Sequence, residues 1–281
     1  MNESTNTNPT PIDRASIPTL EETAPQCWRD VHSILEADTK RVVLYGPPGT
    51  GKTYAGLNIG KHTESIRVIC TEDMTDGDIV GRFLPNATGG MTWHEGALIR
   101  AWRTGARVVI DEIDKANGDV LSTLLAMTDT QASSRWQHPT TGEIVTPHPE
   151  FSVVMTTNLE RMIDLPDALR DRFPVQIRIS EPHPHALEQL PEVWREIART
   201  SSDLDIECRA SIRAFIECAR LEVAIGRAES IRLVFGGNPG NAERIAQAVA
   251  LSTLALDNPS NEGESISLED MVKALEVEVN A

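Results

Sequence analysis

Two short stretches of the sequence group glycines, a lysine, hydroxyls and carboxylates in patterns that suit phosphate chemistry. The first is GPPGTGKT at 46–53. Gly46, Gly49 and Gly51 let the backbone turn so that successive N–H groups converge on phosphate oxygens. Lys52 adds a point charge for the β and γ phosphates, and the Thr53 hydroxyl completes the coordination of Mg²⁺. The stretch from Gly46 through Pro47, Pro48, Gly49, Thr50, Gly51, Lys52 and Thr53 to Tyr54 is therefore expected to contact a nucleotide. A helix starting after the loop adds its positive N-terminal end. The second stretch is VVIDEID at 108–114. Its apolar run ends at Asp111, which sets a carboxylate beside the Mg²⁺ shell, and the adjoining Glu112 can polarise an attacking water.

Both stretches need strand ends to hold them. RVVLY at 41–45, IRVIC at 66–70, RVVIDEI at 107–113, FSVVMTTN at 151–158 and VQIRI at 175–179 are short β-branched runs, each followed by a helix-like segment. Continuous apolar strands of this kind indicate a parallel sheet covered on both faces, so the expected fold is α/β, doubly wound, with the sheet ending near Ser180. After Glu181 helix patterns take over. Ile212, Phe215, Ile216, Ala219 and Val223 fall on one helical face. Asn238 and Pro239 read as an N-cap and first helical position, and Ser267 with Asp270 as a capping box. The expected division is a disordered arm over 1–19, a P-loop α/β domain over 20–180 and a helical lid subdomain over 181–281.

Composition narrows the function classes. Forty-two acidic against 26 basic residues in 281 give a formal charge of −16, which disfavours direct nucleic-acid binding. No apolar run is long enough to span a membrane and the N-terminal 20 residues lack a secretory pattern, so the cytoplasm is the expected compartment. Cys27, Cys70, Cys208 and Cys218 show no Cys-x-x-Cys spacing and read as free thiols.

In order along the chain, GPPGTGKT, DEID, MTTN at 155–158 and ALRDRF at 168–173 resemble the Walker A, Walker B, sensor 1 and arginine-finger motifs of an AAA+ ATPase. TEDMTDGDIVGRF at 71–83, HEGALIRAWRTGARVVIDEIDKAN at 94–117 and PHPEFSVVMTTN at 147–158 resemble the MoxR and dynein-related branch, which includes NorQ/CbbQ and GvpN groups. The loop reads phosphates and not the base, so ATP as the nucleotide is what the resemblance implies. It also implies that Asn158 orients water as sensor 1, and that Arg172, with Arg170 as second choice, enters a neighbouring subunit's site. Such a finger needs a head-to-tail ring, for which the resemblance implies six subunits. It further implies an adaptor carrying a von Willebrand factor A domain and a client protein, often a metalloenzyme.

Two insertions are expected as hairpins: RFLPNATGGMTWH at 82–94, interrupting one helix, and SSRWQHPTTGEIVTPHPEF at 133–151, turning at TTGE. Trp93 and Trp136 are candidate pore or partner contacts, or packing for their own hairpins. The lid departs from the branch, because GGNPGN at 236–241 puts Gly240 where an arginine is usual. Either Arg244 reaches the nucleotide instead or the lid makes no arginine contact. EPHPHALE at 181–188 reads as a connector, since its prolines prevent a helical pair of histidine ligands. Together these readings point to a Mg²⁺-dependent ATPase ring that remodels a partner. The alternatives are a nucleotide-gated assembly scaffold and, third, a DNA-associated motor.

Overall fold

The computed structural model describes residues 24–129, 133–201, 210–237 and 239–257. The arm over 1–19, Cys208, Asn238 and the Ser267–Asp270 cap lie outside the described residues. The chain runs α1 (Gln26–Glu36), β1 (Arg41–Tyr45), α2 (Lys52–Asn58), β2 (Ser65–Ile69), α3 (Asp76–Val80), β3 (Gly81–Pro85), β4 (Met91–Glu95), α4 (Ala97–Thr104), β5 (Arg107–Asp111) and α5 (Gly118–Met127). It continues through β6 (Trp136–Gln137), β7 (Ile144–Val145), β8 (Ser152–Thr157), α6 (Asp167–Arg172) and β9 (Val175–Arg178). Helices α7 (Pro184–Glu188), α8 (Glu192–Thr200), α9 (Ile212–Ile225), α10 (Arg227–Phe235) and α11 (Pro239–Asp257) follow, with Pro239 at the first helical position as expected.

Five strands form one parallel sheet in the order β2-β5-β8-β1-β9. Burial follows that order. Every residue of β5 and β8 is buried, as continuous apolar runs in the middle of a doubly covered sheet must be, whereas the edge strand β2 alternates buried and exposed positions. Alternate side chains feed two cores. Val43, Val108, Ile110, Val153 and Met155 pack with α4 and α5, while Val42, Leu44, Val109 and Val154 pack with α1 and α2. A third core holds Trp194, Phe215 and Phe235 of α8, α9 and α10.

Both insertions are hairpins. β3 pairs antiparallel with β4, and β6 with β7. Trp93 and Trp136 do not pack each on its own hairpin alone. They stack on each other across the two, 5.9 Å apart and 29° from parallel, with Phe83 edge-on to Trp93. Arg103 of α4 bonds to Glu95 at 2.8 Å and to both carboxylate oxygens of Glu143, so one guanidinium ties the two hairpins together.

On α9 the expected stripe is corrected. Ile212 and Phe215 are buried, but Val223 is 90% exposed and Cys218 lies in the core. Glu222, one residue before Val223, accepts from the indole Nε1 of Trp194 at 2.9 Å and pairs with Arg227, so a polar contact takes the end of that face. Cys70 and Cys218 are buried free thiols and Cys27 is half-buried.

Arg107 is the buried charge that seats the phosphate-loop helix. It is fully buried at the start of β5 and donates from Nη1 to the carbonyl of Ile59 at 2.5 Å and to that of Gly56 at 3.4 Å. Its Nε donates to Ser152 Oγ at 3.3 Å. These carbonyls end α2, where a cation is favoured by the helix dipole. Arg107→Met is expected to cost about 2–4 kcal/mol, because it leaves buried carbonyls without a donor. A urea midpoint shift with unchanged slope measures it, and a loss under about 1 kcal/mol would contradict the assignment.

Candidate nucleotide site

The loop between β1 and α2 is built by its glycines. Gly46, Gly49 and Gly51 sit at φ values of +123°, +79° and +107°, a backbone region that side chains disfavour. A Cβ on Gly46 would stand 2.5 Å from the carbonyl oxygen of Ile179, and one on Gly49 2.6 Å from Ser211 Cβ. Thus the loop wedges between β9 and the start of α9. Thr50 Oγ1 donates to the Pro47 carbonyl at 3.0 Å and holds the turn. Tyr54, on the first turn of α2, is 40% exposed beside it.

Lys52 is 6% exposed, and its Nζ donates to the carbonyls of Gly46 at 2.8 Å and Pro47 at 2.5 Å. Burial lowers its pKa to about 8, and the charge of Arg213 on α9 acts the same way against the opposing pull of Asp111. A desolvated cation whose hydrogen bonds among the described residues go to loop carbonyls fits a phosphate group, so the cradle suits the nucleotide that its spacing implies.

Asp111 lies across from it, 5% exposed at the end of β5. Its Oδ1 accepts from Thr53 Oγ1 at 2.8 Å and from Thr156 Oγ1, and its Oδ2 accepts from Arg67 Nε at 3.0 Å and from Arg67 Nη2. Burial pushes this carboxyl up, but the bonds from Thr156, Arg67 and Thr53 outweigh it and hold the group below its ordinary value. A hydroxyl and an ionised carboxylate in contact are a hard oxygen donor set, which fits Mg²⁺. When bound, the ion would neutralise charge on the β and γ phosphates.

Glu112 occupies the left-handed region at φ +58° and ψ +48°, a conformation that costs a non-glycine residue about 1 kcal/mol. This turns the chain out of β5, and the carboxylate pairs with Lys115 at 2.6 Å with a third of the side chain exposed. Asn158 follows β8 directly and is exposed. Just before it, Thr156 bonds to Asp111, and Thr157 Oγ1 donates to Asp114 at 2.5 Å.

The two finger candidates lie on α6. Arg170 donates from Nε to the carbonyl of Leu165 at 3.2 Å and pairs with Asp167. Arg172 Nη1 donates to the carbonyl of Ala168 at 3.2 Å, its nearest carboxylate contact is Asp129 at 3.8 Å, and its Nε is buried without a hydrogen-bond partner among the described residues. Arg244 is exposed on α11, as is Gly240. Arg213 was not singled out by sequence reasoning, yet its charge reaches Lys52.

His183 was also missed as a site neighbour. It is 5% exposed, edge-on to Trp28 at 4.5 Å and to Tyr54 at 5.7 Å, and its backbone N–H donates to the Thr50 carbonyl at 3.2 Å. EPHPHALE thus packs His183, the N-cap of α7, against the loop and is more than a connector. Burial, with His185 and His32 close by, lowers the His183 pKa to about 4. Because the folded value lies below the unfolded 6.5, protonation favours unfolding, and stability is lost as pH falls from about 6.5 towards 4. The loss is expected to reach about 3 kcal/mol, and His183→Asn should flatten that limb of a stability–pH curve. An unchanged slope in the variant would contradict it.

Residues 41–173 match the family described as AAA domain (dynein-related subfamily). Protein CbbQ of Hydrogenophilus thermoluteolus is 32% identical over 234 residues, covering 78% of this chain and 82% of CbbQ. Protein NorQ of Paracoccus denitrificans (strain Pd 1222) is 34% identical over 122 residues, covering 42% of this chain and 43% of NorQ. Midasin of Dictyostelium discoideum is 27% identical over 202 residues, which is 66% of this chain but 3% of midasin. The family implies nucleotide binding with Mg²⁺ and ATPase activity. With these motifs in this order on this sheet, and a relative matched over most of both chains, the chain belongs to the dynein-related subfamily of AAA domains and is homologous to the MoxR-family AAA+ ATPases CbbQ and NorQ.

Proposed function

We propose that the chain is a Mg²⁺-dependent ATPase that closes into a head-to-tail ring and uses hydrolysis to remodel or activate a partner protein. The observation that carries the reading is the bond from Thr53 to Asp111, which joins the phosphate loop to the acidic strand end with Glu112 next in line. Thr53 and Asp111 would hold Mg²⁺, Lys52 would neutralise phosphate charge, and Glu112 would take a proton from the attacking water with Asn158 orienting it. Arg172, whose contact with Asp129 is long at 3.8 Å, is the better finger for a neighbouring site than Arg170, which pairs closely with Asp167.

By family resemblance the ring would have six subunits, and the cytoplasm is the compartment that its sequence pattern leaves as the default. It would work through a von Willebrand factor A adaptor on a client such as a metalloenzyme. The tied hairpins that carry Trp93 and Trp136 would face the pore or the partner, and Arg213 joins Arg244 as a candidate lid contact. Residues 20–180 would form the ATPase domain and 181–281 the lid. Among the described residues no helix is long and apolar enough to cross a membrane.

Mixing Arg172→Ala subunits with Lys52→Ala subunits tests the finger. Each variant alone should be inactive, and mixtures should regain part of the turnover at sites with one intact loop and one intact finger. No recovery at any ratio would contradict action in trans.

A further inference from the structure

We infer that Arg67 is a built-in counter-cation for Asp111, holding the carboxylate in the nucleotide-free site and yielding it when Mg²⁺ enters. The inference rests on the nucleotide reading of this site and adds a residue that neither loop motif contains. Arg67 lies on β2, the edge strand, with Ile69 two residues on standing opposite Asp111 in the parallel register. Side chains two apart on a strand share a face, so the guanidinium reaches Asp111 along the sheet surface. Both Arg67 contacts fall on Oδ2, while Thr53 and Thr156 take Oδ1.

Every hydrogen bond in that set uses up acceptor capacity that a metal ion or its waters would need. The two partners differ in freedom. Asp111 is held in the sheet with 7% of its side chain exposed, whereas 46% of Arg67 is exposed. The arginine can therefore swing into solvent while the carboxylate stays. A cation that leaves as another arrives keeps the pocket charge balanced at each stage, and it lowers the repulsion between Asp111 and phosphates that arrive without metal.

The sign of the effect follows. Without Arg67, metal-free ATP meets an unscreened carboxylate and binds more weakly, while Mg²⁺ no longer competes with a resident cation and binds more tightly. Titration of the full chain with a fluorescent ATP analogue, in excess chelator and in excess Mg²⁺, gives the ratio of the two dissociation constants. Arg67→Gln is expected to raise that ratio about tenfold. Arg67→Lys should retain most of the wild-type ratio, and it serves as the second variant should the glutamine form fail to give a cooperative melt. In an Asp111→Asn background the Arg67→Gln change should move the ratio by less than about twofold, because its partner charge is gone.

An unchanged ratio in Arg67→Gln with ATP still bound would overturn the inference and leave the site assignment standing. So would an effect that persists in the Asp111→Asn background. If the wild-type chain binds the analogue in neither condition, the nucleotide reading itself falls and the inference falls with it.

Discussion

Lys52→Ala is expected to lose nucleotide affinity by about a hundredfold or more while the nucleotide-free fold holds or gains stability. The two halves of that expectation share one cause. Lys52 is a buried cation whose pKa sits near 8, against 10.5 in water, and so at neutral pH the fold carries a desolvated charge that its two loop carbonyls only partly offset. Phosphate oxygens supply the missing counter-charge, which is why binding should depend on this group steeply. Removing it relieves the nucleotide-free chain and starves the bound one, the trade expected where stability is given up for function. Calorimetric titration with Mg²⁺–ATP and a thermal melt of the free protein measure the two sides. Affinity within about fivefold of wild type would contradict the phosphate assignment.

Glu112→Gln should leave binding intact and lower turnover by about 10²–10⁴-fold. The amide keeps the shape of the carboxylate but cannot accept a proton from water. Glu112 leaves the chain from a left-handed backbone turn at the end of β5, and a glutamine amide oxygen there can still accept from Lys115. The substitution therefore tests chemistry with little change in placement. Single-turnover measurement separates binding from hydrolysis, and turnover within tenfold of wild type would remove Glu112 from the proposed role.

Much of the architecture is legible in the sequence. The five sheet strands lie within a residue or two of the apolar runs, because a parallel sheet covered on both faces needs unbroken β-branched segments and little else in the chain has them. The hairpins were legible for a similar reason: a helix cannot pass through Pro85 and the Gly89–Gly90 pair, nor through the turn around Gly142.

What was hidden depends on contacts between distant segments. Arg67 and Arg107 look like ordinary basic residues at strand positions, yet one meets Asp111 and the other the end of α2. A basic residue inside an apolar strand was the available signal in both cases. Helix α1 has no capping signal in the sequence, since Pro25 gives it no side-chain cap, and its role emerges from Trp28, Val31 and Leu35 packing on the sheet. His183 was masked by flanking prolines that suggested a simple connector. Val223 kept the helical spacing but faces outward, because periodicity records a possible face and the neighbours decide how far along it burial extends.

Whether the chain is an ATPase that works as a closed ring can be read from one sample in two ways: light-scattering mass and phosphate release for the wild-type chain, with and without Mg²⁺–ATP. On adding Mg²⁺–ATP the mass is expected to shift from smaller species to a closed multiple of the chain mass, with phosphate released while the assembly persists. A chain that binds Mg²⁺–ATP but stays at its starting mass and releases no phosphate would contradict it.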